Sequence, residues 1–175
     1  MNEKFWDECV DFHGHICPGL TIGYKAALLA RKLFGGKSAE DEEIVCITEN
    51  DACGVDGIQV VLGCTFGKGN LIYKDLGKVA YSFYNRDSDK SFRLLFRRDL
   101  NAPQAREEKQ KFLLHSNEED LFDITEVKEP LPQKAKLFST VICENCGEGA
   151  AEHRIRLVEG SKTCLHCYDE YSRIN

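Results

Sequence analysis

Phe12-His13-Gly14-His15-Ile16-Cys17-Pro18-Gly19-Leu20 sets two imidazoles and a thiol within five residues and then runs into the longest apolar-rich segment of the chain. Pro18 suits the first turn of a helix, where its missing N–H needs no partner and its φ is already helical. Cys17 is thereby expected at the N-cap, facing unpaired backbone N–H groups and the positive end of the helix dipole, which favours a thiolate. His13, His15 and Cys17 are spaced by two, so a locally extended loop points all three the same way. A bend at Gly14 would let only some of them converge. A thiolate beside imidazoles is a soft-metal site or an activated nucleophile, against the plainer reading of a polar loop before a helix.

Outward from this loop, residues 3–11 read as a short helix with Phe5 and Cys9 one turn apart. Residues 18–34 read as a long helix with only Thr21, Lys25, Arg31 and Lys32 as a polar stripe, ended by Gly35-Gly36. A helix apolar on so many sides is expected to pack on another subunit as well as on its own sheet, hence a homodimer. Ile44-Val-Cys-Ile-Thr48 is a buried strand in composition, with Cys46 a core residue. The loop Glu49-Asn50-Asp51-Ala52-Cys53-Gly54-Val55-Asp56-Gly57 then leads into a helix at 55–62. It is a second strand–loop–helix transition with a cysteine at the helix start.

Gly63-Cys64-Thr65-Phe66-Gly67-Lys68-Gly69-Asn70 lacks the P-loop pattern and reads as a tight connection. Strand-like runs follow at 71–74, 79–85 and 92–97, and their short connections imply antiparallel neighbours. Asn101, with Pro103, is the expected start of a charged helix ending near His115, and 121–128 alternates like an edge strand. The fold class is therefore α+β: an antiparallel sheet with packed helices over 1–128, a Pro-bearing linker at 129–140, and a small C-terminal module at 141–175.

That module carries the most specific motif. Cys143-Glu-Asn-Cys146 and Cys164-Leu-His-Cys167 are two C-x2-C knuckles separated by 17 residues. Cys143, Cys146, Cys164 and Cys167 can close a tetrahedral shell around structural Zn²⁺, a rubredoxin-like iron site being the alternative. So short a segment buries too little surface to fold alone, and the metal stands in for a core. His153 and His166 read as bystanders, and Tyr168-Asp-Glu-Tyr-Ser-Arg173 as a short closing helix.

Nine cysteines in 175 residues, with no basic-then-apolar leader at Met1-Asn2-Glu3-Lys4, favour metal ligation or redox chemistry over a disulfide framework and imply a cytoplasmic setting. A net charge of −6 argues against a whole-surface nucleic-acid binder, and Arg154, Arg156, Lys162 and Arg173 make the C-terminal module only mildly basic. No stretch approaches the roughly 20 apolar residues of a membrane span.

The stretches Phe12–Gly23, Cys53-Gly-Val-Asp56-Gly-Ile-Gln59 and Gly63–Asn70 with Gly77-Lys78 resemble the FmdE proteins, named for a component of formylmethanofuran dehydrogenase. The resemblance covers nearly the whole chain, and some members carry the four-cysteine module. It implies an α+β domain, an intertwined homodimer, a metal-associated His/Cys site and association with a tungsten- or molybdenum-dependent oxidoreductase. The chain carries neither molybdopterin-binding machinery nor iron–sulfur cysteine spacing, so it is not itself that dehydrogenase. Two readings stand: a metalloprotein accessory to a redox or one-carbon enzyme, or a regulatory module that senses metal or redox state and contacts protein or nucleic acid through its zinc tail.

Within the N-terminal domain, His15, Cys17 and Cys53 are the expected ligands of a second transition metal, zinc among the candidates, with Cys17 and His15 as catalytic groups. Cys53 and Cys64 flank one helix and lie roughly 16 Å apart at about 1.5 Å per residue, so both cannot bind one ion. Cys53 is preferred because, like Cys17, it begins a helix. His15 is preferred to His13 because it is closer to Cys17 and follows Gly14. Asp56 either orients a ligand or remains a helix-start carboxylate.

Overall fold

The structure, a computed structural model, describes residues 3–173. It divides into two compact units, Met1–Ala135 and Lys136–Asn175. In the first, α1 (Glu3–His13), α2 (Pro18–Leu33), α3 (Gly54–Leu62), α4 (Arg106–His115) and α5 (Glu118–Leu121) accompany strands β1 (Ile44–Thr48), β2 (Leu71–Tyr73), β3 (Ala80–Asn85), β4 (Lys90–Phe96) and β5 (Phe122–Thr125). The strands form one sheet in the order β2-β1-β3-β4-β5.

The sheet is mixed rather than antiparallel. β1 and β2 run parallel, with Cys46 opposite Leu71 and Thr48 opposite Tyr73, while the other pairs are antiparallel. The cause is α3. A strand that leaves through a helix and returns beside itself makes a crossover, and a crossover returns the chain in the same direction. The short connections farther along, β3 to β4 above all, do give antiparallel neighbours.

Helix α2 lies at the centre of the core, packed by α1, α3, α4 and α5 of its own chain. Leu20, Tyr24, Ala26, Ala27, Leu29 and Ala30 are buried there, and Trp6 of α1 meets Tyr24 with ring centroids 5.1 Å apart. The apolar girth that suggested a dimer is thus covered within the chain. Even the buried Lys25 is consumed: its Nζ donates to the Ser116 carbonyl and to Glu118 Oε1, each at 2.8 Å, pinning the α4–α5 corner to α2.

The far side of the sheet is closed by a strap. Val45, Ile47 and Tyr84 form a smaller cluster with Ile72 and Val127, and the Tyr84 hydroxyl donates to the Glu129 carbonyl at 2.9 Å. Lys74 pairs with Glu129, and the Ala135 N–H donates to Glu42 Oε2 at 3.0 Å. Residues 129–135 of the expected linker are therefore fastened to the first unit. Helix α4 begins at Arg106 behind Ala105, which offers no capping side chain, and not at Asn101. Glu107 and Glu108 in its first turn suit the helix dipole instead.

The second unit consists of two hairpins, β6 (Thr140–Ile142) with β7 (Gly149–Ala151) and β8 (Ile155–Val158) with β9 (Ser161–Cys164). Residues 168–173 carry no helix, contrary to expectation.

Candidate metal centre

Helix α1 runs two residues farther than expected, so His13 is its last residue. Gly14, at φ +83°, closes the helix by donating its N–H to the Val10 carbonyl at 2.8 Å. That is a left-handed C-terminal stop for which glycine has no Cβ penalty. His13 is consequently held on a helix, whereas His15 lies beyond the turn and is exposed.

Cys17 is the N-cap of α2, with Pro18 following as the first helical residue. Its Sγ accepts the Leu20 N–H at 3.3 Å, and the thiol is buried. Cys53 precedes α3, yet its backbone is already helical and its side chain caps nothing. The side-chain capping bond at a helix start, expected for both thiols, is made by Cys17 alone. Burial first, then the adjacent Cys17 thiol and the Asp56 carboxylate, push the Cys53 thiol up.

The two helix starts meet because their bodies touch backbone to backbone. A Cβ on Gly23 would lie 1.8 Å from the Gly54 carbonyl oxygen, and one on Gly57 would lie 2.5 Å from the Tyr24 nitrogen. Glycine at both positions is what permits this approach. The result is a cluster of His13, Cys17 and Cys53 whose donor atoms all lie within 4.8 Å of one another. The His13 Nε2–Cys17 Sγ distance is 3.9 Å. A tetrahedral zinc with bonds of about 2.0–2.3 Å spaces its ligand atoms by about 3.5–3.8 Å, so the three atoms need little movement to close on an ion.

His13, not His15, supplies the imidazole of this cluster. His13 Nδ1 is 2.7 Å from Asp56 Oδ2, which leaves Nε2 free toward the thiols, and Asp56 Oδ1 accepts from Gln59 Nε2 at 3.2 Å. A carboxylate behind the imidazole fixes its tautomer and raises its basicity as a ligand. Asp56 thus lies in the first turn of α3 and stands behind His13 at the same time. His15 stacks on the His13 ring with centroids 4.3 Å apart and stands outside the donor set, so its expected roles as ligand and catalytic group lack geometric support. The glycine contact and the His13–Asp56 pair escaped the sequence reading. Two signals were available: Gly19-x3-Gly23 and Gly54-x2-Gly57 place small residues along one helix face each, and Gly14 after His13 marks a helix stop.

The remaining thiols of this unit are core. Burial pushes Cys64 up to about 12, and its Sγ points at the Ile44 carbonyl, 3.6 Å away. Cys9 is likewise raised to about 12, by burial and then by Glu8 and Asp56, while Cys46 is fully buried and raised well above the usual thiol range. Beside His13 and Cys53 opens a cleft of about 380 Å³ whose walls include Asp51, Asp56, Phe66 and Tyr73.

In the second unit Cys143, Cys146, Cys164 and Cys167 form the other donor cluster, again with all atoms within 4.8 Å. Each knuckle is a tight turn, with Gly147 N–H donating to the Cys143 carbonyl at 2.9 Å and Cys167 N–H to the Cys164 carbonyl at 3.0 Å. The backbone N–H groups of Cys164, Cys146 and Asn145 draw the Cys143 thiol down to about 6, so it offers a thiolate at neutral pH. Four cysteines with no carboxylate, imidazole or open position are the donor set of a closed structural site, and zinc fits it. His153 stacks on Phe138, 3.8 Å between centroids, and His166 is exposed.

A helix-covered mixed sheet with a His/Cys cluster, followed by a four-cysteine finger, defines a two-part protein of metal-ligand character. Residues 12–129 match the FmdE family, described by the molybdenum formylmethanofuran dehydrogenase operon, and residues 136–173 match the prokaryotic dksA/traR C4-type zinc finger. The chain belongs to the FmdE family. It is 30% identical over 193 residues to a protein of Archaeoglobus fulgidus described as a probable S-adenosyl-L-methionine-binding protein. The match takes in 92% of this chain and 51% of that one, so the chain spans about half its relative's length. A crystal structure of a tungsten formylmethanofuran dehydrogenase FmdE-like protein from Syntrophus aciditrophicus shares the fold, with a TM-score of 0.66 at 24% identity over 94% of this chain and 90% of that one. No helix among the described residues is long and apolar enough to cross a membrane.

Proposed function

We propose that this protein binds a thiophilic divalent transition metal, zinc foremost, through His13, Cys17 and Cys53 and uses it as an accessory to a redox or one-carbon enzyme system. The observation that carries the reading is the convergence of those three donor atoms within 4.8 Å, with the Asp56 carboxylate behind His13. Three protein ligands leave one tetrahedral position for water or a small ligand, the arrangement of a reactive rather than a structural zinc. Such a metal would polarise a bound group, and the chain's own part is to hold it: Asp56 orients His13, Cys17 caps α2, and the glycine contact keeps Cys53 in place. The structural zinc of the C-terminal unit is a separate ion in this reading.

The proposal extends to a cytoplasmic homodimer and to a partner metalloenzyme. With α2 covered, a dimer would draw on the exposed Phe12 and Ile16 near the site. S-adenosyl-L-methionine, named for the archaeal relative, is one ligand to titrate. A second reading, in which the finger contacts another macromolecule, is favoured by its exposed Ile142, Leu157 and Tyr171. Nucleic acid is the weaker occupant, since Glu144, Glu148 and Glu152 offset the unit's basic residues.

Cobalt substitution tests the metal site. Thiolate-to-cobalt charge transfer should persist at the N-terminal site in a variant whose finger is disabled by Cys143→Ser, Cys146→Ser, Cys164→Ser and Cys167→Ser together, and vanish when Cys17→Ser and Cys53→Ser are added. Absence of that band in the first variant would overturn the reading.

A further inference from the structure

We propose that the cleft beside His13 and Cys53 selects a small organic cation of the ammonium-bearing class, whose donor atom completes the coordination of the metal. The second clause rests on the proposed function; the first rests on the cleft alone.

The charge balance of the site favours a cation. Asp51 and Asp56 line the cleft, and no lysine or arginine does. Two neighbouring lysines are engaged elsewhere. Lys68 Nζ donates to the carbonyls of Ala39 and Glu40 at 3.2 and 3.4 Å, and Lys74 pairs with Glu129.

The walls of the cleft favour an organic one. Phe66 is 62% exposed and Tyr73 39%, and both line the cleft. Aromatic faces left open to water over a carboxylate-lined hollow suit an organic cation, which the ring quadrupoles attract. A volume of about 380 Å³ is that of a small-molecule site. An anionic ligand of the same size would meet the Asp51 and Asp56 carboxylates with no lysine or arginine in the lining.

The experiment has two arms on the full-length chain. In the first, metal is stripped and Cys53 is labelled with aminoethyl or sulfonatoethyl methanethiosulfonate, each forming a mixed disulfide and releasing methanesulfinate. The rate at the Cys53 peptide is followed by mass spectrometry. The cationic-to-anionic rate ratio should exceed that of free 2-mercaptoethanol by about tenfold or more, as a focused negative potential requires. Asp51→Asn, a change at an exposed residue, should bring it severalfold closer to the reference. A ratio at or below the reference, or one unmoved by Asp51→Asn, overturns the proposal. In the second arm, cobalt-loaded protein is titrated with cysteamine and with mercaptoacetate. Cysteamine should perturb the cobalt bands at concentrations about tenfold lower, and equal or inverted potency overturns the proposal. If cobalt shows no thiolate band at the N-terminal site, the metal reading fails, and the Cys53 rate ratio still decides the charge selection.

Discussion

His13 is useful as a ligand because its other nitrogen is already committed to Asp56, 2.7 Å away. Asp56→Asn keeps the shape but removes the charge, and should weaken metal binding at the N-terminal site by about 10–100-fold. Competition with a chromophoric chelator reads this directly, and the finger's metal should be unaffected. A second buried pair concerns stability. Arg93 Nη2 donates to Glu49 Oε2 at 2.9 Å, and both side chains are almost wholly buried. The guanidinium holds Glu49 below the usual carboxylate range. A folded-state value below the unfolded one stabilises the fold above the unfolded value and is lost as pH falls through the folded one. The N-terminal unit should therefore weaken as pH drops below about 4.5, the ordinary carboxylate value. Arg93→Leu strands the buried carboxylate and should cost about 3–5 kcal/mol at neutral pH, measured by urea unfolding. At this scale the sequence showed which residue types gather but not which imidazole. His13 and His15 flank one glycine, and the choice between them depends on where α1 stops.

Between elements, the α2–α3 contact is the feature on which the site depends. Gly23→Ala places a methyl group inside the Gly54 carbonyl, so the helices must part. The expected loss is about 3 kcal/mol or more, seen as a lowered unfolding midpoint, together with reduced metal at the N-terminal site as Cys17 and Cys53 separate. A variant of wild-type stability and metal content would show that the contact is looser than described. In the first unit, α1, α2, α3 and the strands were legible from periodicity, Pro18 and the glycine stops, whereas α5 was not. The direction of β2 was not, because a three-residue strand carries no signal of its partner and only the intervening α3 dictates a parallel return. The start of α4 was misplaced because Asn101 and Pro103 look like a helix start while the chain stays irregular until Ala105.

On the scale of the whole molecule, the two units have different sources of stability. The first has a core of buried aliphatic and aromatic side chains, whereas the second buries little beyond Cys143, Thr163 and Cys164. Chelation should therefore unfold residues 136–173 and leave the first unit folded, which limited proteolysis with peptide mapping would show. The two C-x2-C knuckles made the finger readable from spacing alone, since a closed four-thiolate shell needs only local turns. The N-terminal site joins three separated segments through tertiary contacts, and spacing could nominate its residues without placing them. The most direct test of the account is the metal content of His13→Ala beside that of His15→Ala. The arrangement predicts that His15→Ala keeps two ions per chain while His13→Ala keeps only the one in the finger. Loss of an ion in His15→Ala, or two ions retained in His13→Ala, would contradict it.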